Sequence, residues 1–167
     1  VAQDWALDDP WFGKRLRWAC QLHEIGLAIA HSRHHKHGSY LVENSDMPGF
    51  SRQDQQLLWA LMRTHRRSFK AHRFAGLPGN RPLQAQRLCV LLRLAILLNR
   101  NRSDEALPAS LRLQARRYKL KLTFPSGWLD QAPLTRRRTS STPGSRRRRS
   151  VCTPISIGHA QASRTRT

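Results

Sequence analysis

Residues 88–98 read LCVLLRLAILL, the longest apolar run of the chain, broken once by Arg93. It is too short to span a bilayer. Leu88, Leu91, Leu92, Ala95 and Leu98 fall on one face at helical spacing, and their apolar neighbours widen that stripe. A stripe so wide has to be covered on several sides. It predicts a helix at the centre of a bundle, and the chain before it must supply the helices that wrap it.

Those helices are announced by their ends. Asp9-Pro10 is a capping residue followed by a proline at the first helical position. Leu16, Ala19, Cys20, Leu22 and Ile25 then recur at helical spacing, and Gly26 marks a break or a close approach. A second helix is expected to begin near His34, with Tyr40, Leu41 and Val42 on its apolar side, and to end in Asn44 to Gly49. Ser51-Arg52-Gln53-Asp54 resembles a capping box. It opens a third helix with a Leu57, Leu58, Leu61, Met62 stripe, predicted to end near Arg67. Gly76, Pro78, Gly79 and Pro82 predict a loop over 71–82.

After the long helix the period changes to two. Leu111 and Leu113 alternate, as do Tyr118, Leu120, Leu122 and Phe124, which predicts a β-hairpin turning near Arg116-Arg117. Arg112, Arg117, Lys119 and Lys121 are placed on its other face, and PSGW at 125–128 closes it. The expected class is therefore mainly α: a helical bundle over 1–104, a small β-hairpin segment over 105–134, and a basic tail over 135–167.

The tail is where charge decides. The formal net charge is +20, and the last 37 residues contribute nine arginines and no acid. A segment with so little periodic apolar pattern is expected to be disordered alone. Arginine dominates lysine throughout, as in GC-rich coding DNA, and the tail's Arg, Ser, Thr and Pro fit a frameshifted reading of it. The net charge itself favours polyanions: nucleic acid, polyphosphate, nucleotides or an acidic membrane surface. Cys20, Cys89 and Cys152 lack paired spacing, so neither a disulfide framework nor a zinc ribbon is expected. The N-terminus VAQDWALDD is not a signal peptide. The chain reads as an internal fragment of a cytoplasmic protein that does not enter a membrane.

Five of the eight histidines, His23, His31, His34, His35 and His37, fall within residues 22–44. Metal, anion and plain packing remain open for such a cluster. Together, LHEIG, HHKHGSYLVENSDMPGFS, a THRR segment and LLRLAILLNR resemble the C-terminal region of the exopolyphosphatase / guanosine pentaphosphate phosphohydrolase family. LRLQARRYKLKLTFPSGWL is similar to that family's short β segment and closing aromatic. The resemblance covers about residues 10–134.

It implies an HD-like helical bundle. It also implies a hydrolase whose phosphohydrolase site lies in two actin-like lobes, which these residues do not include, and which works with magnesium. The chain alone is then expected to be inactive and to need no cofactor of its own. Active HD enzymes hold metal on a His–Asp pair with further His and Asp; here the pair becomes His23-Glu24, and Ile96 and Asn99 stand near the later aspartate. A metal set of His23, Glu24, His35 and His65 is the weaker alternative, because carboxylates are scarce.

The favoured reading is an anion rim. Arg33, His34, His35, Lys36 and His37 lie near a helix N-terminus, where free N–H groups favour phosphate. The HD-like packing would bring His65, Arg66 and Arg67 to the same rim. Each arginine alone is also what a solvated surface carries; gathering on one face is what makes a track. The expected function is an accessory domain that binds polyphosphate for an exopolyphosphatase, with protonated imidazoles assisting below pH 6.5. Alternatives are a guanosine pentaphosphate phosphohydrolase fragment, or a basic module binding nucleic acid non-specifically through the tail. Family members are commonly homodimers, so that state is expected too.

Overall fold

The computed structural model describes residues 1–78, 81–100, 107–126 and 128. Four α-helices and a two-stranded antiparallel sheet make up most of them: α1 Pro10–Leu22, α2 His34–Asn44, α3 Arg52–Thr64, α4 Arg81–Leu98, β1 Arg112–Arg116 and β2 Lys119–Thr123. Short 3-10 turns occupy Gln3–Trp5, Ile25–Ala28 and Ala71–Phe74. The mainly α class with a small hairpin is thus observed. The tail expected over 135–167, and the 104/105 boundary, lie outside the described residues.

Local chemistry sets the helix starts. Asp9 accepts the backbone N–H of Trp11 at 2.8 Å, with Pro10 in the first turn. Ser51 and Asp54 form the full reciprocal capping box. α4 buries its first half, Ala85, Leu88, Cys89, Val90 and Leu92, in one core with Leu57, Leu58, Leu61 and Met62 of α3 and Phe74. Leu91, Ala95 and Leu98 of the expected stripe are half-buried. It is α3 that packs against all three other helices, so the central place falls to α3 rather than α4. Among the described residues no helix is long and apolar enough to cross a membrane.

Two expectations change. Tyr40 does not face the core; it is 60% exposed, and α2 instead buries His34, His35, Gly38, Ser39 and Val42. The reason is Gly26. An added Cβ there would lie 2.0 Å from the His34 carbonyl oxygen and 2.4 Å from the Gly38 nitrogen. Backbone packs on backbone at that crossing, so the inward face of α2 needs small or planar side chains rather than long apolar ones. α3 also stops at Thr64 and not near Arg67. Arg67 has φ of 63°, a left-handed conformation, and Arg93 of α4 donates to the carbonyls of Thr64 (3.1 Å) and Arg67 (2.8 Å). The arginine that interrupts the apolar run therefore closes the end of a neighbouring helix.

The hairpin pairs Arg112 with Thr123, Ala115 with Leu120 and Arg116 with Lys119, leaving Arg117 and Tyr118 as the turn. Ala115 and Leu120 are buried, and Phe124 stacks on Trp128 at 4.8 Å.

Candidate functional site

The α2 N-terminus carries no side-chain cap; Arg33 sits there with φ of 56°. The Lys36 N–H is taken by the Arg33 carbonyl at 2.7 Å, and no side-chain cap meets the N–H groups before it. From this end His34 and His35 turn inward and are buried, Lys36 turns outward, and His37 is half-buried. His65 caps the C-terminus of α3, buried to 4% exposure. Its ring centroid lies 5.8 Å from that of His34, 6.1 Å from His23 and 6.3 Å from His35. His31 reaches the group at 6.5 Å from His34. His37 makes no ring contact with it.

Hydrogen bonds fix the tautomers. His65 Nδ1–H donates to the Met62 carbonyl at 2.8 Å, so its Nε2 is a bare lone pair, buried without a partner. The Arg66 guanidinium donates to His34 Nε2, so the His34 proton is on Nδ1, also buried and unpartnered. His23 Nδ1–H donates to the Cys20 carbonyl at 2.7 Å.

Burial is the main cause that lowers the proton affinity of these rings. It lowers His34 from its ordinary value, helped by Arg66. His35 is pushed down to about 4 by burial, then by His34, Arg63, Arg66 and Arg67. His65 is pushed down to about 4 by burial, against a pull upward from the Met62 bond. The expectation that protonated imidazoles attract phosphate below pH 6.5 is thereby corrected for His35 and His65. A ring with so little water and so many neighbouring cations does not take a proton in that range.

The charge lies on the outer layer instead. Lys36, fully exposed, is lowered chiefly by Arg33, then by Arg63, Lys70 and Arg73. His35 senses Arg63, Arg66 and Arg67. Seven cations from α2, α3 and the following turn thus crowd one another, and the Glu24 carboxylate lies 3.9 Å from His23. Seven of the eight rim residues read from the sequence come together; His37 stays apart.

Sequence reasoning missed Arg63, Lys70, Arg73 and Arg93. The run RTHRRSFKAHR carried the signal for three of them. Arg93 announced itself only as an interruption.

The metal quartet fares differently. His23 and His35 meet His65 edge to face, at 86° and 90°. Among the described residues no group of three or more His, Cys, Asp or Glu is placed to hold a metal ion. Magnesium takes oxygen ligands, and one glutamate among imidazoles does not fit it; no step is derived through a metal here.

A family model described as Ppx/GppA phosphatase, domain III, matches residues 2–140. The chain belongs to that family. The match takes in α1 to α4, the hairpin, every histidine of the cluster and every cation of the rim. The Ppx/GppA domain III of this chain therefore presents a neutral imidazole layer under a cationic one.

Proposed function

We propose that this chain binds inorganic polyphosphate along the rim as the accessory domain of an exopolyphosphatase, presenting the chain to phosphohydrolase lobes of the kind the resemblance implies. The observation that carries this reading is the crowd of seven cations, none of them in an ion pair with a carboxylate among the described residues. Guanidinium forks suit phosphate oxygens. Affinity comes mainly from counterion release and falls with salt.

Guanosine pentaphosphate is the second ligand of the same chemistry. The setting is cytoplasmic and the working unit a homodimer. The chain alone is expected to release no phosphate, since its match over residues 2–140 is to domain III and the resemblance puts the phosphohydrolase site in the lobes.

The test is polyphosphate binding to the full chain at several salt concentrations. Arg66→Gln/Arg67→Gln and Arg33→Gln/Lys36→Gln should each weaken binding about tenfold and flatten the salt dependence. Affinity unchanged in both double variants would overturn the reading. Competition by guanosine pentaphosphate at equal phosphate concentration decides between the two ligands.

A further inference from the structure

The outer face of the hairpin is a second cationic surface, built on other elements than the histidine rim. Along β1 and β2 alternate residues share a face. Ala115 and Leu120 point into the core, with Leu113 and Leu122 packed beside them. The opposite face therefore carries Arg112, Gln114 and Arg116 from β1, and Lys119, Lys121 and Thr123 from β2, all exposed. Arg117 and Tyr118 form the tip, also exposed, with Tyr118 at 42%.

Three observations point to a ligand. First, Arg116 and Lys119 are directly opposite each other in the register. Like charges so placed destabilise a sheet. Second, no acid occurs anywhere in residues 107–126, and among the described residues no carboxylate pairs with any of the five hairpin cations. The repulsion is left standing. Third, the tip holds an aromatic ring between two cations, and Arg87 of α4 reaches the Arg117 carbonyl there with a long contact of 3.5 Å. A basic ribbon with an aromatic ring at its end offers what single-stranded nucleic acid needs, a track for phosphates and a face for a base. Inorganic polyphosphate has no use for the ring.

We infer that the exposed face of the hairpin binds single-stranded nucleic acid, with Arg112, Arg116, Lys119 and Lys121 on the phosphates and Tyr118 stacked on a base. This does not rest on the polyphosphate reading.

The experiment is fluorescence anisotropy of a labelled oligouridylate with the full chain. Arg146, Arg147, Arg148 and Arg149 are changed to Gln in every sample, so that this block does not dominate the signal. Arg116→Gln/Lys119→Gln should weaken binding about tenfold at low salt. It should also reduce the slope of log affinity against log salt by about 1.4, the value for two lost phosphate contacts on a single strand. Tyr118→Ala should weaken binding about tenfold with the salt slope unchanged, while Tyr118→Phe keeps the affinity. Neither change should alter polyphosphate affinity by more than twofold. All these side chains are exposed, and circular dichroism confirms that each variant is folded. An oligouridylate affinity that ignores the double substitution overturns the site. A Tyr118→Ala variant that binds like the parent chain overturns the nucleic-acid assignment.

Discussion

The two ends of α3 treat arginine in opposite ways. At the start, Arg15 places Nε and Nη2 both at 2.7 Å from Asp54 Oδ1, with both side chains largely buried. Its guanidinium lies 4.2 Å from the Trp11 ring and 5.1 Å from Trp18. Burial alone would raise the Asp54 carboxyl, but hydrogen bonds from Arg15 and Ser51 outweigh it and hold it below its ordinary value. At the far end, Arg66 meets a neutral imidazole and Arg93 meets carbonyl oxygens. The first arginine is neutralised and serves the fold. The others are held in place with their charge intact, and that is what a surface for anions requires.

The sharpest way to break this contrast is at Asp54. Asp54→Ala leaves the Arg15 charge buried without its partner and removes half of the capping box. Unfolding free energy should fall by about 3–5 kcal/mol, read from a denaturant titration, while any folded protein keeps its polyphosphate affinity. A loss under 1 kcal/mol would mean that the pair is not the structural end of the helix.

Gly26→Ala should come next. The new methyl group has no room beside the His34 carbonyl, and overpacking of this kind costs about 1–3 kcal/mol. Because the crossing positions the α2 N-terminus, this substitution should weaken phosphate binding as well as stability, which Asp54→Ala should not.

Acid titration reaches the imidazole layer directly. His35 and His65 have folded values of about 4 against an ordinary 6.5. A base so depressed binds protons more readily when unfolded. Its contribution is complete above 6.5 and is lost as pH falls toward 4, by about 1–3 kcal/mol per ring. Thermal melts between pH 7 and 4 should show the decline, and His65→Gln should make it shallower. Polyphosphate affinity should stay level across pH 6.5 as far as these rings are concerned; a steep fall there that vanishes in His35→Gln would show His35 to be charged in the rim.

The smallest effect is expected at Arg93. Arg93→Met frees the carbonyls of Thr64 and Arg67, so that Arg66 and Arg67 lose their fixed bearing. Affinity for polyphosphate should drop several-fold with little change in salt slope. A slope reduced by a full contact would instead place Arg93 itself on the ligand.

Much of the fold could be read from short-range chemistry. Asp9-Pro10 and Ser51 to Asp54 cap helices through partners two or three residues away, and the hairpin's period of two survives any packing. The apolar run of α4 marked a long helix, but not that only its first half would be buried. What could not be read depends on approach between distant segments. Tyr40 reads as inward because apolar periodicity carries no information about a glycine fourteen residues earlier that brings two backbones together. Membership of the rim was legible for Arg33, His34, His35, Lys36, His65, Arg66 and Arg67, through the order of the motifs. Its charge state was not, because a histidine's proton affinity is set by the water that packing removes. Arg93 was visible as a break in an apolar run, but its partners are carbonyl groups, which look alike in every residue.

The bond from Arg66 to an uncharged ring has a consequence for kinetics. A guanidinium tied to a carboxylate is ordered but its field is cancelled; one left loose keeps its field but must be oriented after contact. Arg66 avoids both. An anion approaching this end of the molecule feels an attraction that extends about a Debye length, roughly 10 Å at 0.1 M salt. On arrival it finds a donor already aimed. Encounter should therefore quicken markedly as salt is lowered, while the dwell time of the bound chain changes far less.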